Sequence, residues 1–184
     1  AMSKAASDKC AVVIGGTGGI GHAIAQFYAD KGYNVVITGR DEERTNGVAK
    51  EIGGKTRGIA VDISEPETIE EKLASLGHVD HLALVAVDRV YNSARDYNVQ
   101  RARKIVTLKL IGYTEVAHTL FPRMGAGASA VLFGGLASER PYPGSTSITT
   151  VNGAVSSLIR TLAVELAPVR FNAIHPGIIS DTPA

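Results

Sequence analysis

One cysteine, Cys10, stands in a chain of 184 residues. It can form no intramolecular disulfide, and an intracellular, cytoplasmic setting is the expectation. Long hydrophobic runs are missing too: stretches such as Leu82 to Val87 fall far short of the about 20 residues of a membrane span. Ala1 to Lys9 lacks the apolar core of a signal peptide. Nineteen Lys and Arg face eighteen Asp and Glu, leaving a formal net charge of +1. That balance gives no support to a nucleic-acid or membrane-surface role. His22, His78, His81, His118 and His175 are dispersed and lack neighbouring cysteines, so no metal site is expected. No Gly-x-Ser-x-Gly elbow occurs, which leaves hydrolase chemistry without a visible nucleophile.

What the chain does have is glycine, set between alternating strand-like and helical segments. Cys10 to Ile14 is an apolar run of the kind buried on both faces of a sheet. Ile20, Ala23, Ile24, Phe27 and Tyr28 follow helical spacing, closed by Gly32. Further strands are expected at Tyr33 to Thr38, Ile59 to Asp62, His81 to Val87, Ala130 to Phe133 and Phe171 to Ile174. Helices are expected at Asp41 to Ile52, Ser64 to Leu76, Gln100 to Leu120 and Thr146 to Ala167. Strands alternating with helices imply right-handed crossovers. The fold class is therefore α/β, a Rossmann-like doubly wound parallel sheet flanked by helices. At roughly 150 residues per domain, 1–184 is read as a single domain.

Between the first strand and first helix lies Gly15-Gly16-Thr17-Gly18-Gly19-Ile20-Gly21. Such a turn needs unusual φ angles and close approach to a pyrophosphate, and the helix behind it presents free N–H groups to the anion. Glycine also serves tight turns structurally, but the strand–turn–helix context favours nucleotide binding. Gly15, Thr17, Gly18, Gly19, Ile20 and Gly21 are therefore candidate cofactor residues. About 20 residues on, an Asp or Glu would meet a ribose 2′-hydroxyl. The chain has Thr38-Gly39-Arg40 there. Arg40 suits a 2′-phosphate, which favours NADP over NAD; the alternative is a surface arginine paired with Asp41 or Glu43.

The wide spacing Gly15-x-x-x-Gly19-x-Gly21 resembles the short-chain dehydrogenase/reductase family, with Ile14 where that family usually has Thr. The downstream stretch Leu162-Ala163-Val164-Glu165-Leu166-Ala167-Pro168, then Val169 to Gly177, is similar to the family's late helix and its Pro-Gly turn. The resemblance implies that Asp62 and Ile63 contact adenine, though Asp62 is also placed to cap the turn before Ser64. It implies that Pro176, Gly177, Ile179 and Thr182 lie against the nicotinamide, with Ser180 a competitor for the last contact. It also implies oligomerisation through the helices of 105–120 and 151–166. A substrate-covering segment and a last strand are expected to be missing beyond Ala184.

The family's chemistry uses a tyrosine, a lysine four residues later, a serine and an asparagine. Counting back from Leu162 to Pro168 places Ile148 at the tyrosine, Asn152 at the lysine and Gly135 at the serine. Lys109 falls at the asparagine, and Leu84-Val85-Ala86-Val87 replaces the usual Asn-Asn-Ala-Gly. No lysine follows Lys109, so no register of the downstream chain restores Tyr-x-x-x-Lys. Isoleucine moves no proton, and a positioned acid is worth about 10²–10⁴-fold in rate. Lys109 and Asn152 are the replacement candidates, Lys109 as a donor of depressed pKa and Asn152 as a ribose contact. Ser138, Tyr142, Thr149 and Thr150 are weaker sources of hydroxyls. The expected function is NADP(H)-linked oxidoreduction of a small carbonyl or alcohol by a non-standard site. The alternatives are an inactive NADP-binding sensor or partner subunit, and a lyase or isomerase on the same fold.

Overall fold

In the computed structural model, which describes residues 8–179, six parallel strands form one sheet in the order β3-β2-β1-β4-β5-β6. The strands are β1 (Cys10–Ile14), β2 (Asn34–Gly39), β3 (Lys55–Ala60), β4 (Val79–Leu84), β5 (Met124–Phe133) and β6 (Arg170–Ile174). The helices between them are α1 (Gly19–Asp30), α2 (Glu42–Ile52), the short α3 (Ile69–Lys72), α4 (Val99–Val106), α5 (Tyr113–Leu120) and α6 (Thr146–Glu165). α4 and α5 are joined without a break by a π-helical stretch, Thr107–Gly112. Strand order reverses between β1 and β4, where Val13 pairs with Ile37 on one side and Ala83 on the other. In open α/β sheets that reversal opens a crevice at the carboxyl ends of the strands.

Alternating strand residues feed two cores. Val12, Ile14, Leu82, Leu84, Ala130 and Leu132 face α3, α5 and α6, whose Ile69, Val116, Val155 and Leu162 close that side. Val13, Val35, Ile37 and Ala83 face Ala25 of α1 and Ala49 and Ile52 of α2. Of the expected stripe of α1, Ile24 and Tyr28 pack half-buried against that core. Gly21 and Ala25 are its buried residues because they let the helix approach the sheet closely. Phe27 stays 55% exposed.

Other expectations also shift. Pro66 starts a 3₁₀ turn, Pro66–Thr68, so the helix expected from Ser64 to Leu76 shrinks to α3. β3 begins directly after the Gly53-Gly54 turn and ends at Ala60, before Asp62. β4 ends at Leu84, and residues 85–98 run as a loop along the crevice. β5 starts six residues before Ala130, and its pairing with β4 shifts register between Val79 and His81. Among the described residues no helix is long and apolar enough to cross a membrane, and no group of three or more His, Cys, Asp or Glu could hold a metal.

Candidate functional site

The glycine turn is shaped by what crowds it. Gly15 has φ +89°, and a Cβ there would stand 2.6 Å from the Ala86 backbone. Ala86 and Val85 are held against this turn because both amides donate to the Ile14 carbonyl. A Cβ on Gly21 would strike the Gly15 carbonyl, so this glycine lets α1 start directly on the turn. Thr38, a buried hydroxyl at the end of β2, accepts from the Gly15 amide at 3.1 Å. The first turn of α1 carries no acidic residue, leaving its N–H groups and positive dipole end for an anion.

From this turn a cavity of about 580 Å³ runs along the carboxyl ends of the strands. Gly15, Thr17, Gly18, Gly19, Ile20, Arg40, Asp62, Ile63, Lys109 and Pro176 all line it, so most of the expected site residues meet here. Its charged wall holds four cationic side chains, Arg40, Arg44, Arg89 and Lys109, against two carboxylates, Asp62 and Asp88. Arg40 pairs with neither Asp41 nor Glu43; among the described residues Arg40 and Arg44 are in no ion pair. Arg44 went unnoticed in the sequence. Its signal is Asp41, whose carboxylate caps α2 by accepting from the Arg44 amide at 2.7 Å. That cap sets Arg44 in the first turn of α2, beside Gly18. Asp62 serves the turn as well as the cavity: its Oδ1 accepts from the Ser64 amide and hydroxyl at 2.9 and 2.7 Å.

At the other end of the cavity lies Lys109, 1% exposed, on the π-helical stretch. Its Nζ is 3.4 Å from the Gly134 carbonyl and 5.5 Å from the Tyr113 ring centroid. Burial alone brings its pKa down from 10.5 to about 8. Tyr113 itself is fully buried and donates to the Ala86 carbonyl at 2.8 Å. Burial pushes its pKa further up, so it is no proton source.

Asn152 is 3% exposed, and its amide nitrogen fills the space that a Cβ on Gly135 would need. Its Oδ1 is buried without a hydrogen-bond partner. Gly135 donates its amide to His175 Nδ1 at 3.1 Å, which places the ring proton on Nε2, facing Ser156 Oγ at 2.8 Å. His175 thus ties the β5 loop to α6, a part that its dispersed position in the sequence did not reveal. Ile148 is half-buried.

The other hydroxyl candidates are committed or remote. Thr149 Oγ1 lies 3.1 Å from the Ala137 carbonyl and 2.9 Å from Ser145 Oγ, Thr150 donates to Thr146, Ser138 donates to Gly135, and Tyr142 is exposed. Ile179 lines a second, more apolar cavity that meets the first at Gly19, Ile20 and Phe133. Gly177 is exposed and lines neither cavity, and Thr182 and Ser180 lie outside the described residues.

Sequence and structure comparisons agree with this architecture. The short chain dehydrogenase family profile matches residues 9–184. An NADP-dependent (R)-specific alcohol dehydrogenase of Lentilactobacillus kefiri is 31% identical, over 97% of this chain and 76% of its own length. The short-chain dehydrogenase/reductase ucsE of an Acremonium species is 29% identical, over 93% of this chain and 72% of its own. A crystal structure of a putative betaketoacyl-ACP reductase superimposes with a TM-score of 0.87 at 31% identity, covering 98% of this chain and 77% of that one. With the glycine turn, the crevice at the strand reversal and a family match over nearly its whole length, the chain belongs to the short-chain dehydrogenase/reductase family of NAD(P)-dependent oxidoreductases.

Proposed function

We propose that the cavity binds NADP(H) and that Lys109 is the proton donor in redox chemistry on a small carbonyl or alcohol. The observation that carries this reading is that the glycine turn and a buried lysine line one and the same cavity. When bound, the cofactor supplies or accepts the hydride. The residues present fit such a group. Gly15, Gly18 and Gly19 line the cavity, and the N-terminus of α1 behind them presents free N–H groups to a pyrophosphate. Arg40 and Arg44, free of ion pairs, form a fork for a 2′-phosphate. Asp62 keeps Oδ2 for the adenine amine, and Ile63 and Pro176 supply apolar walls. Asn152 lines neither cavity, so its buried, unpaired Oδ1 carries no part of this fit. The L. kefiri relative is named as NADP-dependent, which agrees with the arginine pair. Lys109 holds a proton on Nζ below about pH 8 and can release it near neutrality, as general acids require.

A second reading is favoured by one observation: Ile148 and Gly135, where the resemblance sets the family's tyrosine and serine, carry no hydroxyl. On that reading the protein binds NADP(H) without turnover, as a sensor or a partner subunit. Titration of intrinsic NADPH fluorescence, with NADH as control, tests the binding. Micromolar NADPH affinity that Arg40→Ala with Arg44→Ala weakens at least tenfold, with NADH unchanged, is expected; equal affinity for both cofactors removes the assignment. Cofactor oxidation across carbonyl substrates then separates the readings. Turnover lost in Lys109→Met supports the first, and tight binding without turnover the second.

A further inference from the structure

A buried ammonium normally sits against a carboxylate, because its desolvation is costly unless an opposite charge offsets it. Lys109 has no such partner among the described residues. Its contacts are one carbonyl at 3.4 Å and the Tyr113 ring, and burial alone shifts its titration. The ionisable groups on the surrounding elements are otherwise engaged or uncharged. Tyr113, one turn along, is neutral and bonded to Ala86; His175, beyond Gly134, is bonded on both ring nitrogens. Asp88, on the loop after β4, is 2.9 Å from Lys104, and Asp62 holds the turn before Ser64. Arg89, on the same loop, adds positive charge to the wall. The Lys109 end of the cavity is therefore a cation that faces accessible space without a counter-ion.

We infer that Lys109 receives the anionic group of the ligand, and that the substrate class is an organic acid with its carbonyl beside the carboxylate. A 2-oxo acid places both oxygens within reach of one ammonium, so the same Nζ can bind the carboxylate and face the carbonyl oxygen. This deepens the reading of the cavity as a redox site and rests on it. A neutral carbonyl compound would leave the buried charge unpaired, whereas an anion compensates it, so selectivity follows from Lys109 being protonated.

Pyruvate and butane-2,3-dione, matched in shape and different in charge, serve as probes. Their Kd values are measured by ligand-observed NMR on the protein saturated with NADP⁺, from pH 6.5 to 9.5. At pH 7 pyruvate is expected to bind at least tenfold more tightly than the dione. Its affinity should fall about tenfold per pH unit above about 8, while the dione stays constant. Lys109→Met should bring pyruvate to the level of the dione and leave NADPH affinity within about threefold. Equal binding of the two probes, a preference without pH dependence, or a preference that survives Lys109→Met would overturn the assignment; the last would transfer the role to Arg89. The pH profile of the unmodified protein decides the matter even where the variant does not fold. Failure of NADPH to bind is scored separately and counts against the cofactor reading alone.

Discussion

Gly135 and Asn152 occupy one volume between them, the Asn152 amide standing where a side chain at 135 would begin. Gly135 has an extended backbone, φ 178°, that any residue adopts, so conformation does not demand glycine. The demand comes from the Asn152 amide, which stands where the Cβ would go. Gly135→Ala therefore overpacks a buried contact and should cost about 1–3 kcal/mol, less the smaller gain from stiffening the unfolded chain. Asn152→Ala should recover most of that loss in the double variant, since it removes the obstructing amide and its unpaired oxygen. Urea unfolding of the four proteins measures the coupling. Additive costs would mean that the two residues do not compete for space. A serine placed at 135 meets the same obstruction, so a hydroxyl returns to this site only when residue 152 changes as well.

The loop after β4 shows at the scale of elements what the sequence does and does not disclose. β1, the glycine turn and α1 were legible because apolar run, glycines and helical spacing all point the same way. β3 and β5 were legible only in part: Lys55 and Arg57, Gly125 and Gly127 make their first halves polar or glycine-rich, and pairing with a neighbour extends them. The strand was expected to run on to Val87, yet residues 85–98 form a loop that Asn92 pins. That side chain accepts from the Asn98 amide at 2.8 Å and donates to the Asn98 carbonyl and to Ser147 Oγ at 3.1 and 2.9 Å. Its amide also donates to Gly144, joining the loop to the start of α6. The site divides in the same way. Lys109 and Asn152 were found by counting along a motif, whereas Thr38, Asn92 and His175 act through contacts made by distant segments, and Arg44 is placed by the local Asp41 cap. Asn92→Ala should cost roughly 2–3 kcal/mol, because it leaves several buried groups without partners. Hydrogen exchange should then accelerate across 88–98 and the first turn of α6. Protection equal to that of the unaltered protein would assign the loop's position to its other contacts.

For the whole molecule, the two faces of the sheet are unequally covered, and this bears on how copies of the chain associate. The long helix formed by α4, the π-helical stretch and α5 leaves Val99, Val106 and Ile111 exposed, with Ile111 51% accessible, and α6 leaves Val164 exposed. On the opposite face, Phe27 of α1 and Ile174 of β6 border the more apolar cavity. Surfaces of this kind mark contact sites, and a closed two-fold dimer uses the same patch on both copies. A homo-oligomer through the α4–α5 and α6 face is the expected state, because exposed apolar residues from both helices lie there while both inner stripes are spent on the core. Size-exclusion chromatography with light scattering at micromolar concentration should give at least a dimer mass. Ile111→Glu should return it to the monomer with its circular dichroism intact, and Phe27→Glu should leave the oligomer in place. The reverse pattern would move the interface to the α1–β6 groove, and a monomer in the unaltered protein would exclude both.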